Sequence, residues 1–422
     1  MKVADACLST AMRAFNRGDR VLRRLGRNPP ELDPDLLLRN ARRRAGLTDF
    51  GVQALFGPME RLVEALEREA RLTPLGRVMV RRHLVSLLET ALLLQRDRSS
   101  AVRDQRITAP VFIVGLPRTG TTLLYNLLAQ DPATRVPLTW EAMFPAGFQE
   151  SPSERRRAKW KASARLAMAN RIAPDFHRIH PLGYDLPEEC VALMAPGFTS
   201  ALFHTLYRVP SYQDWFESAR QTPGFDMHFR VLQQLQFRRG TRRWVLKGPA
   251  HLFSLEALLR RYPDARLIQT HRDPLRAIPS IASLNATLRR AFSSQVDPVE
   301  IGRDCARRWH GALERFLRRR DSLPPDRVVD VAYAELTASP IAVVERIYDH
   351  LGWPYPATAR AAMQDYLMAN PRDACGVHRY SLQAFGLDAG QERQRFAGYC
   401  ERFDINRGAD PLVSGNLPAA GG

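Results

Sequence analysis

The segment from residue 110 to residue 129 constrains the fold of this chain more than any other part of the sequence. Residues 110–114, Pro-Val-Phe-Ile-Val, are a short, continuous apolar run, the pattern of a strand buried on both faces. Residues 115–122, Gly-Leu-Pro-Arg-Thr-Gly-Thr-Thr, predict a glycine-rich turn, and residues 123–129 predict a helix. Strand, turn and helix in this order put the turn where a parallel α/β sheet binds its ligand.

The rest of the chain favours an α/β fold built around this segment. Further short strands alternate with helical segments, which is the βαβ pattern of a parallel sheet. We therefore predict a P-loop-like nucleotide-binding core flanked by helices, with an N-terminal helical region before it and a helical, aromatic-rich insert within it. The predicted boundaries are 1–105 for the N-terminal region, about 150–240 for the insert and 406–422 for a C-terminal tail, with strands at 244–246, 265–270 and 328–331 and helices at 251–262, 274–290 and 299–320.

The glycine-rich turn has the spacing of a phosphate-binding loop, with two glycines five residues apart followed by hydroxyl side chains. Thr121 stands where a nucleoside-triphosphate hydrolase carries a lysine, and Arg118 supplies a positive charge from within the turn. Such a turn suits one phosphate surrounded by hydroxyl and backbone donors better than it suits a triphosphate. The predicted phosphate-binding residues are Arg118, Thr119, Gly120, Thr121 and Thr122.

A second motif for phosphate binding lies at residues 267–280. Arg272 follows an apolar strand, Pro274 suits the first turn of the next helix, and Ser280 lies about two turns along that helix. Arg272 and Ser280 can therefore close on one phosphate. The two motifs together predict a ligand with two separate phosphate groups.

Both motifs resemble those of the superfamily of sulfotransferases that use 3′-phosphoadenosine 5′-phosphosulfate (PAPS). Residues 112–132 are similar to the family's 5′-phosphosulfate loop, and residues 267–280 are similar to its 3′-phosphate motif. The resemblance covers roughly residues 108–405, so we assign the sulfotransferase domain to residues 106–405. It is closer to the bacterial branch and the tyrosylprotein-type enzymes than to the cytosolic steroid and phenol enzymes. It implies PAPS as co-substrate and in-line transfer of a sulfuryl group to a hydroxyl, with a general base and without a metal.

The resemblance also assigns roles to single residues. Lys247, after a predicted strand, would neutralise the bridging oxygen and the sulfonate. For the general base the sequence offers two candidates. We favour Glu141, because related bacterial and tyrosylprotein-type enzymes have a Glu at this place, over His251, whose spacing from Lys247 departs from the family pattern. Arg379 is expected in a C-terminal loop that closes over the 3′-phosphate and the adenine.

The acceptor stays open between a small molecule and a lipid. The aromatic residues of the insert suggest a partly apolar alcohol, phenol or lipid, but one fold serves many acceptors. Glu188 and Glu189 could contact this acceptor, although acidic residues at the start of a helix explain them equally well.

The charge of the chain raises two alternative functions. The formal net charge is +18, and only four of the 62 basic residues are lysines. Charge alone suits nucleic acid, an anionic membrane or a phosphorylated small molecule, and arginine runs such as 155–157 and 318–320 are explained most simply as solvated helix faces. A nucleic-acid-binding protein would need a basic stripe with interleaved aromatics, so we expect no nucleic acid. A small-molecule or nucleoside kinase would need a lysine at Thr121 and a carboxylate for Mg²⁺, a role open to Asp330.

Cysteine usage and hydropathy bear on the compartment. The five cysteines lie far apart and never form a C-x-x-C pair, so neither a disulfide framework nor a thiolate metal site is indicated. No run reaches the roughly 18 apolar residues of a membrane span, and the first residues lack the apolar segment of a signal peptide. We expect a cytoplasmic protein; peripheral contact with a membrane and the oligomeric state stay open.

Overall fold

A parallel sheet of five strands lies at the centre of the fold. The computed structural model describes residues 31–51, 53–146, 151–172, 183–240, 242–371 and 381–405. The strands are β1 (Val111–Gly115), β2 (Thr134–Arg135), β3 (Arg243–Lys247), β4 (Arg266–His271) and β5 (Val328–Ala332). Their order across the sheet is β2-β3-β1-β4-β5. Ile113 of β1 is level with Lys247, and Gly115 is level with Thr270, so the carboxyl ends of β1, β3 and β4 meet at one edge.

Helices cover both faces of this sheet. Of the nineteen α-helices in the described residues, nine begin at a proline or after a side chain that accepts a hydrogen bond from the first turn, which are typical helix starts. The helices are α1 (Pro34–Ala45), α2 (Phe56–Glu69), α3 (Pro74–Arg96), α4 (Ser100–Arg103), α5 (Thr121–Leu128), α6 (Thr139–Met143), α7 (Pro152–Ile172), α8 (Cys190–Met194), α9 (Leu202–Leu206), α10 (Pro210–Ser218), α11 (Thr222–Arg239), α12 (Leu255–Arg261), α13 (Pro274–Arg290), α14 (Pro298–Arg320), α15 (Tyr333–Ala338), α16 (Pro340–Leu351), α17 (Ala357–Ala369), α18 (Ala389–Arg395) and α19 (Ala397–Arg402).

Burial along the strands explains why their sequences differ. All five residues of β1 are buried, which matches its continuous apolar run, because helices cover both faces of a central parallel strand. β5 lies at the sheet edge and alternates, with Val329 and Val331 buried and Asp330 partly exposed. The predicted α/β fold with a parallel sheet is confirmed. The two-residue strand β2 was not predicted, because two residues carry no periodicity.

The helices before β1 pack into the same apolar core as the sheet. Leu84 and Leu88 of α3 belong to one buried cluster with Phe112 of β1 and Leu246 of β3. The same cluster contains Tyr207 of the insert, whose hydroxyl lies 2.7 Å from His83 Nδ1. The described part of the N-terminal region therefore supports the insert and one face of the sheet at the same time.

Among the described residues, no helix combines the length and the apolar composition that crossing a bilayer requires. The longest helices, α3 and α14, have 23 residues each, and charged side chains interrupt both of them. The described His, Cys, Asp and Glu side chains likewise form no group of three or more that could hold a metal ion.

Candidate active site

The glycine-rich turn between β1 and α5 is held in a conformation that its two glycines permit. Gly115 has a φ of 135°, and a Cβ atom there would lie 2.5 Å from the carbonyl oxygen of Thr270. Gly120 has a φ of 91° directly before α5, and Arg118 also adopts a positive φ, of 73°. This turn therefore brings the chain sharply onto the N-terminus of α5, where backbone N–H groups without helical partners favour an anion.

The side chains of the turn divide into structural and accessible groups. The Thr119 hydroxyl is fully buried, donates to the carbonyl oxygen of Leu116 at 2.6 Å and lies 2.5 Å from Thr270 Oγ1. It therefore ties the turn to β4 rather than offering a donor to a ligand. Thr121 is also buried, whereas Arg118 is exposed and Thr122 is partly exposed.

Lys247 connects the turn to Glu189, the residue that precedes α8. Its side chain is only 2% exposed, and its Nζ donates to Thr122 Oγ1 at 3.0 Å and lies 2.9 Å from Glu189 Oε1. A buried ammonium group needs such partners, because its desolvation is otherwise costly. Lys247, Thr122 and Glu189 thus form one polar chain at the carboxyl edge of the sheet.

Glu188 and Glu189 sit directly before α8, beside this polar chain. Burial raises the pKa of Glu188, whose Oε1 accepts a hydrogen bond from the Glu189 backbone N–H at 3.0 Å. The segment is anchored by a bridge between Leu138 and Pro187. The sequence had suggested no more than a possible acceptor contact here, and it contained no signal that Glu189 meets Lys247, because 58 positions separate the two residues.

Glu141, the favoured base from the sequence, is fully enclosed. Its Oε1 accepts a hydrogen bond from Arg135 at 2.9 Å and lies 3.3 Å from Arg239 Nε, and its Oε2 accepts from the Leu138 backbone N–H at 3.1 Å. These bonds cap the first turn of α6 and pair the carboxylate with two arginines. The geometry favours a structural role for this carboxylate.

His251, the second candidate base, lies in an aromatic environment. Its ring is 5.4 Å from the rings of both Phe112 and Phe225, and it is almost completely buried. Burial lowers the pKa of His251 to about 3. The imidazole is therefore neutral near pH 7 and a weak proton acceptor.

The second motif braces the first. Arg272 follows β4, donates a hydrogen bond to the carbonyl oxygen of Arg118 at 3.0 Å, and stacks 3.9 Å from the ring centre of Tyr333. Ser280 on α13 is 3% exposed, and its hydroxyl has no hydrogen-bond partner within the described residues. Arg379 lies outside the described residues. Arg272 therefore lies against the turn, and the buried Ser280 hydroxyl, eight residues further along the chain, is a donor without a hydrogen-bond partner among the described residues.

His271 and Tyr399, which the sequence did not single out, support the end of β4 together with Asp330, which the sequence offered only as a possible Mg²⁺ ligand. His271 Nε2 lies 2.7 Å from Asp330 Oδ1, and His271 Nδ1 lies 3.0 Å from the Tyr399 hydroxyl. Burial alone would raise the pKa of Asp330, but hydrogen bonds from His271 and Arg320 hold it well below its usual range. The Asp330 carboxylate is thus already bonded to Arg320 and His271, which disfavours the role of Mg²⁺ ligand that a kinase would require of it. In the sequence, the only local sign of this cluster was a histidine at the end of a strand. Its partners Asp330 and Tyr399 are 59 and 128 positions away along the chain.

A model of the sulfotransferase family matches residues 110–357, which is more than half of the chain and includes both phosphate motifs and Lys247. The chain belongs to the sulfotransferase family. Two curated relatives of this family member, omega-hydroxy-beta-dihydromenaquinone-9 sulfotransferases of Mycobacterium bovis and Mycobacterium tuberculosis, are each 30% identical over 250 residues. Each alignment covers 58% of this chain and 62% of the relative, so the chain spans less than two thirds of their length.

Solved structures of two bacterial sulfotransferases extend the match to 88% of the chain. The structure of STF1 from Mycobacterium tuberculosis is 33% identical with a TM-score of 0.76, covering 88% of this chain and 100% of the other. The structure of STF9 from Mycobacterium avium is 28% identical with a TM-score of 0.79, covering 88% and 97%. These similarities confirm the bacterial branch of the family that the motifs indicate.

Proposed function

We propose that this protein transfers a sulfuryl group from PAPS to a hydroxyl of a small, apolar or lipid-like acceptor. One observation carries the proposal: the buried ammonium of Lys247 joins Thr122 of the phosphate-binding turn to the Glu189 carboxylate. Lys247, the proposed cation for the transferring group, thus lies within hydrogen-bond distance of both the proposed phosphate-binding turn and the proposed proton acceptor. The curated relatives, named for a hydroxylated dihydromenaquinone, support a lipid-like acceptor.

The residues at the sheet edge fit a donor with two phosphate groups. The N-terminus of α5 and the exposed Arg118 would hold the 5′-phosphosulfate. Arg272 and Ser280 would hold the 3′-phosphate, and the unsatisfied, buried Ser280 hydroxyl supports a ligand oxygen there, because such groups are rarely left without a partner. Arg379 stays a proposal for the same end of the nucleotide.

The chemistry requires one proton acceptor and one movable cation. The bond between the acceptor oxygen and sulfur forms while the bond from sulfur to the bridging phosphate oxygen breaks, and 3′-phosphoadenosine 5′-phosphate (PAP) leaves. We assign the acceptor proton to the Glu189 carboxylate, in place of Glu141, because Glu141 is enclosed by its cap and two arginines. Lys247 would turn its donors from Glu189 toward the transferring group as charge develops there.

A calorimetric titration tests the donor assignment. We expect PAP to bind in the presence of a metal chelator, and 5′-AMP to bind at least roughly tenfold more weakly, because a charge-assisted contact to the 3′-phosphate contributes about 1.5–3 kcal/mol. Preference for ATP with Mg²⁺ would favour the kinase alternative, and tight binding of duplex DNA would favour the nucleic-acid alternative. Transfer of radiolabelled sulfuryl groups from PAPS to an apolar alcohol or phenol is the direct assay of activity.

Tyr399 provides a separate test of the 3′-phosphate site. Its hydroxyl bonds to His271, the residue directly before Arg272, and a hydrogen bond from the Arg272 backbone also reaches it. We expect Tyr399→Phe to raise the Kd for PAP about fivefold or more, since each lost hydrogen bond costs about 1 kcal/mol, and to leave the Kd for 5′-AMP unchanged. Tyr207→Phe, which removes a similar bond to His83, is the matched control and should change neither value. Equal weakening of PAP and 5′-AMP would show that Tyr399 acts on general stability alone.

A further inference from the structure

The helix α7 is strongly basic and is attached to the body of the protein by a narrow face. It contains seven basic residues and one acidic residue. Ala158 and Ala162, four residues apart, are its buried residues and pack with Trp140 and Phe144. Lys159 and Arg165 add contacts over the same two rings, at 5.7 Å from the centre of Trp140 and 4.4 Å from the centre of Phe144, and most of the remaining helix surface is exposed.

The opposite side of α7 combines exposed apolar groups with arginines. Trp160 is 70% exposed and Met168 is 54% exposed. Ala164 and Ala167, also exposed, lie between them, and the spacing i, i+4, i+7, i+8 puts all four on one side of the helix. The same helical period puts three exposed arginines on this side: Arg156, Arg157 and Arg171.

The flank of α7 next to this face, at Lys159, lies beside the segment that carries the carboxylates of the site. Lys159 Nζ is 3.0 Å from Asp185 Oδ1, and Asp185 precedes Glu189 by four residues. Tyr184 and Leu186 of the same segment are exposed as well. Four of the eight exposed large apolar side chains of the described residues therefore belong to α7 or to residues 183–189.

We propose that the exposed face of α7, with Tyr184 and Leu186, binds an anionic lipid bilayer. Arginines attract anionic headgroups, and tryptophan suits the boundary between headgroups and acyl chains. Transfer of the exposed Met168 side chain from water into the bilayer lowers the free energy. A nucleic acid would form favourable contacts with the arginines but would leave the aliphatic side chains, such as Met168, exposed to water. Such docking would let a lipid acceptor pass from the membrane toward Glu189. This consequence rests on the proposed function, but binding of α7 to the membrane does not.

Co-sedimentation with vesicles tests the proposal on the full chain. We expect the protein to bind phosphatidylcholine vesicles that contain phosphatidylglycerol, and to bind pure phosphatidylcholine vesicles far more weakly. Trp160→Ser with Met168→Ser should lower the partition coefficient on anionic vesicles roughly tenfold or more, since two large apolar side chains lose their burial. Arg156→Gln with Arg157→Gln should lower it roughly 30-fold, at about fivefold for each charge removed near the surface.

Matched controls separate this face from general charge and hydrophobicity. Met368→Ser removes a methionine that is 74% exposed on α17, and Arg318→Gln with Arg319→Gln removes two exposed arginines of α14. Neither control should change vesicle binding. Absence of binding to anionic vesicles, or equal losses in the control variants, would overturn the proposal. It would also be overturned if the arginine variant lost binding to duplex DNA while the apolar variant bound vesicles as well as the unchanged protein does. PAP affinity measured on the same variants should stay constant, and vesicle binding by a protein that fails to bind PAP would refute the proposed function alone.

Discussion

Glu189→Gln is expected to lower the single-turnover rate of sulfuryl transfer by about 10²–10⁴-fold, the usual contribution of a general base. Glutamine keeps the shape of the side chain and its contact with Lys247 but cannot accept the acceptor's proton. The affinity for PAP should change little, because the proposed phosphate contacts come from the turn, Arg272 and Ser280. Rapid-quench measurement with any accepted phenol or alcohol, together with calorimetry for PAP, checks both parts.

Glu141→Gln is the matched comparison, because it changes the other candidate carboxylate in the same way. The substitution leaves the buried Arg135 without its charge partner, and breaking a buried ion pair typically costs about 3–5 kcal/mol. We expect a lower Tm and a lower free energy of unfolding, with the transfer rate per folded molecule unchanged. The reverse pattern, with the rate lost in Glu141→Gln and kept in Glu189→Gln, would return the role of base to Glu141.

Arg272→Ala is expected to raise the Kd for PAP by about two orders of magnitude or more. Losing one partner of a charge-assisted contact to a phosphate costs about 2–5 kcal/mol. The same change removes the hydrogen bond to the Arg118 carbonyl and the stacking on Tyr333, so the turn also loses its brace. Arg272→Lys should have an intermediate effect, because lysine keeps the charge but not the planar, multidentate donor set.

Arg266→Ala is the control for Arg272→Ala on the same strand. Arg266 lies at the opposite end of β4 and donates to the Leu351 carbonyl oxygen at 2.6 Å, far from the proposed nucleotide site. It should lower stability without changing the Kd for PAP. If Arg272→Ala weakened PAP and 5′-AMP equally, the role of Arg272 in binding the 3′-phosphate would be refuted, and a role in shaping the turn alone would remain.

The sequence alone determined the elements whose information is local. The apolar run before Gly115, the glycine pair of the turn and the proline that opens α13 each specify their own backbone within a few residues. Burial on both faces of a parallel strand demands a continuous apolar segment, so β1 could be recognised without knowledge of its neighbours. The two phosphate motifs and the family followed from these segments, because the proposed ligand contacts come largely from backbone groups and from residues at fixed positions after strand ends.

Only the tertiary structure decided which side chains meet at the site. Glu189 reaches Lys247, and Tyr399 reaches His271, across 58 and 128 positions, and no local pattern specifies such pairs. Glu141 resembles a catalytic carboxylate in sequence, yet Arg239, nearly a hundred positions away, helps to enclose it. The reason is physical: the protonation, exposure and partners of a side chain depend on the low-dielectric surroundings that folding assembles, whereas strand and turn formation depends chiefly on the residues nearby.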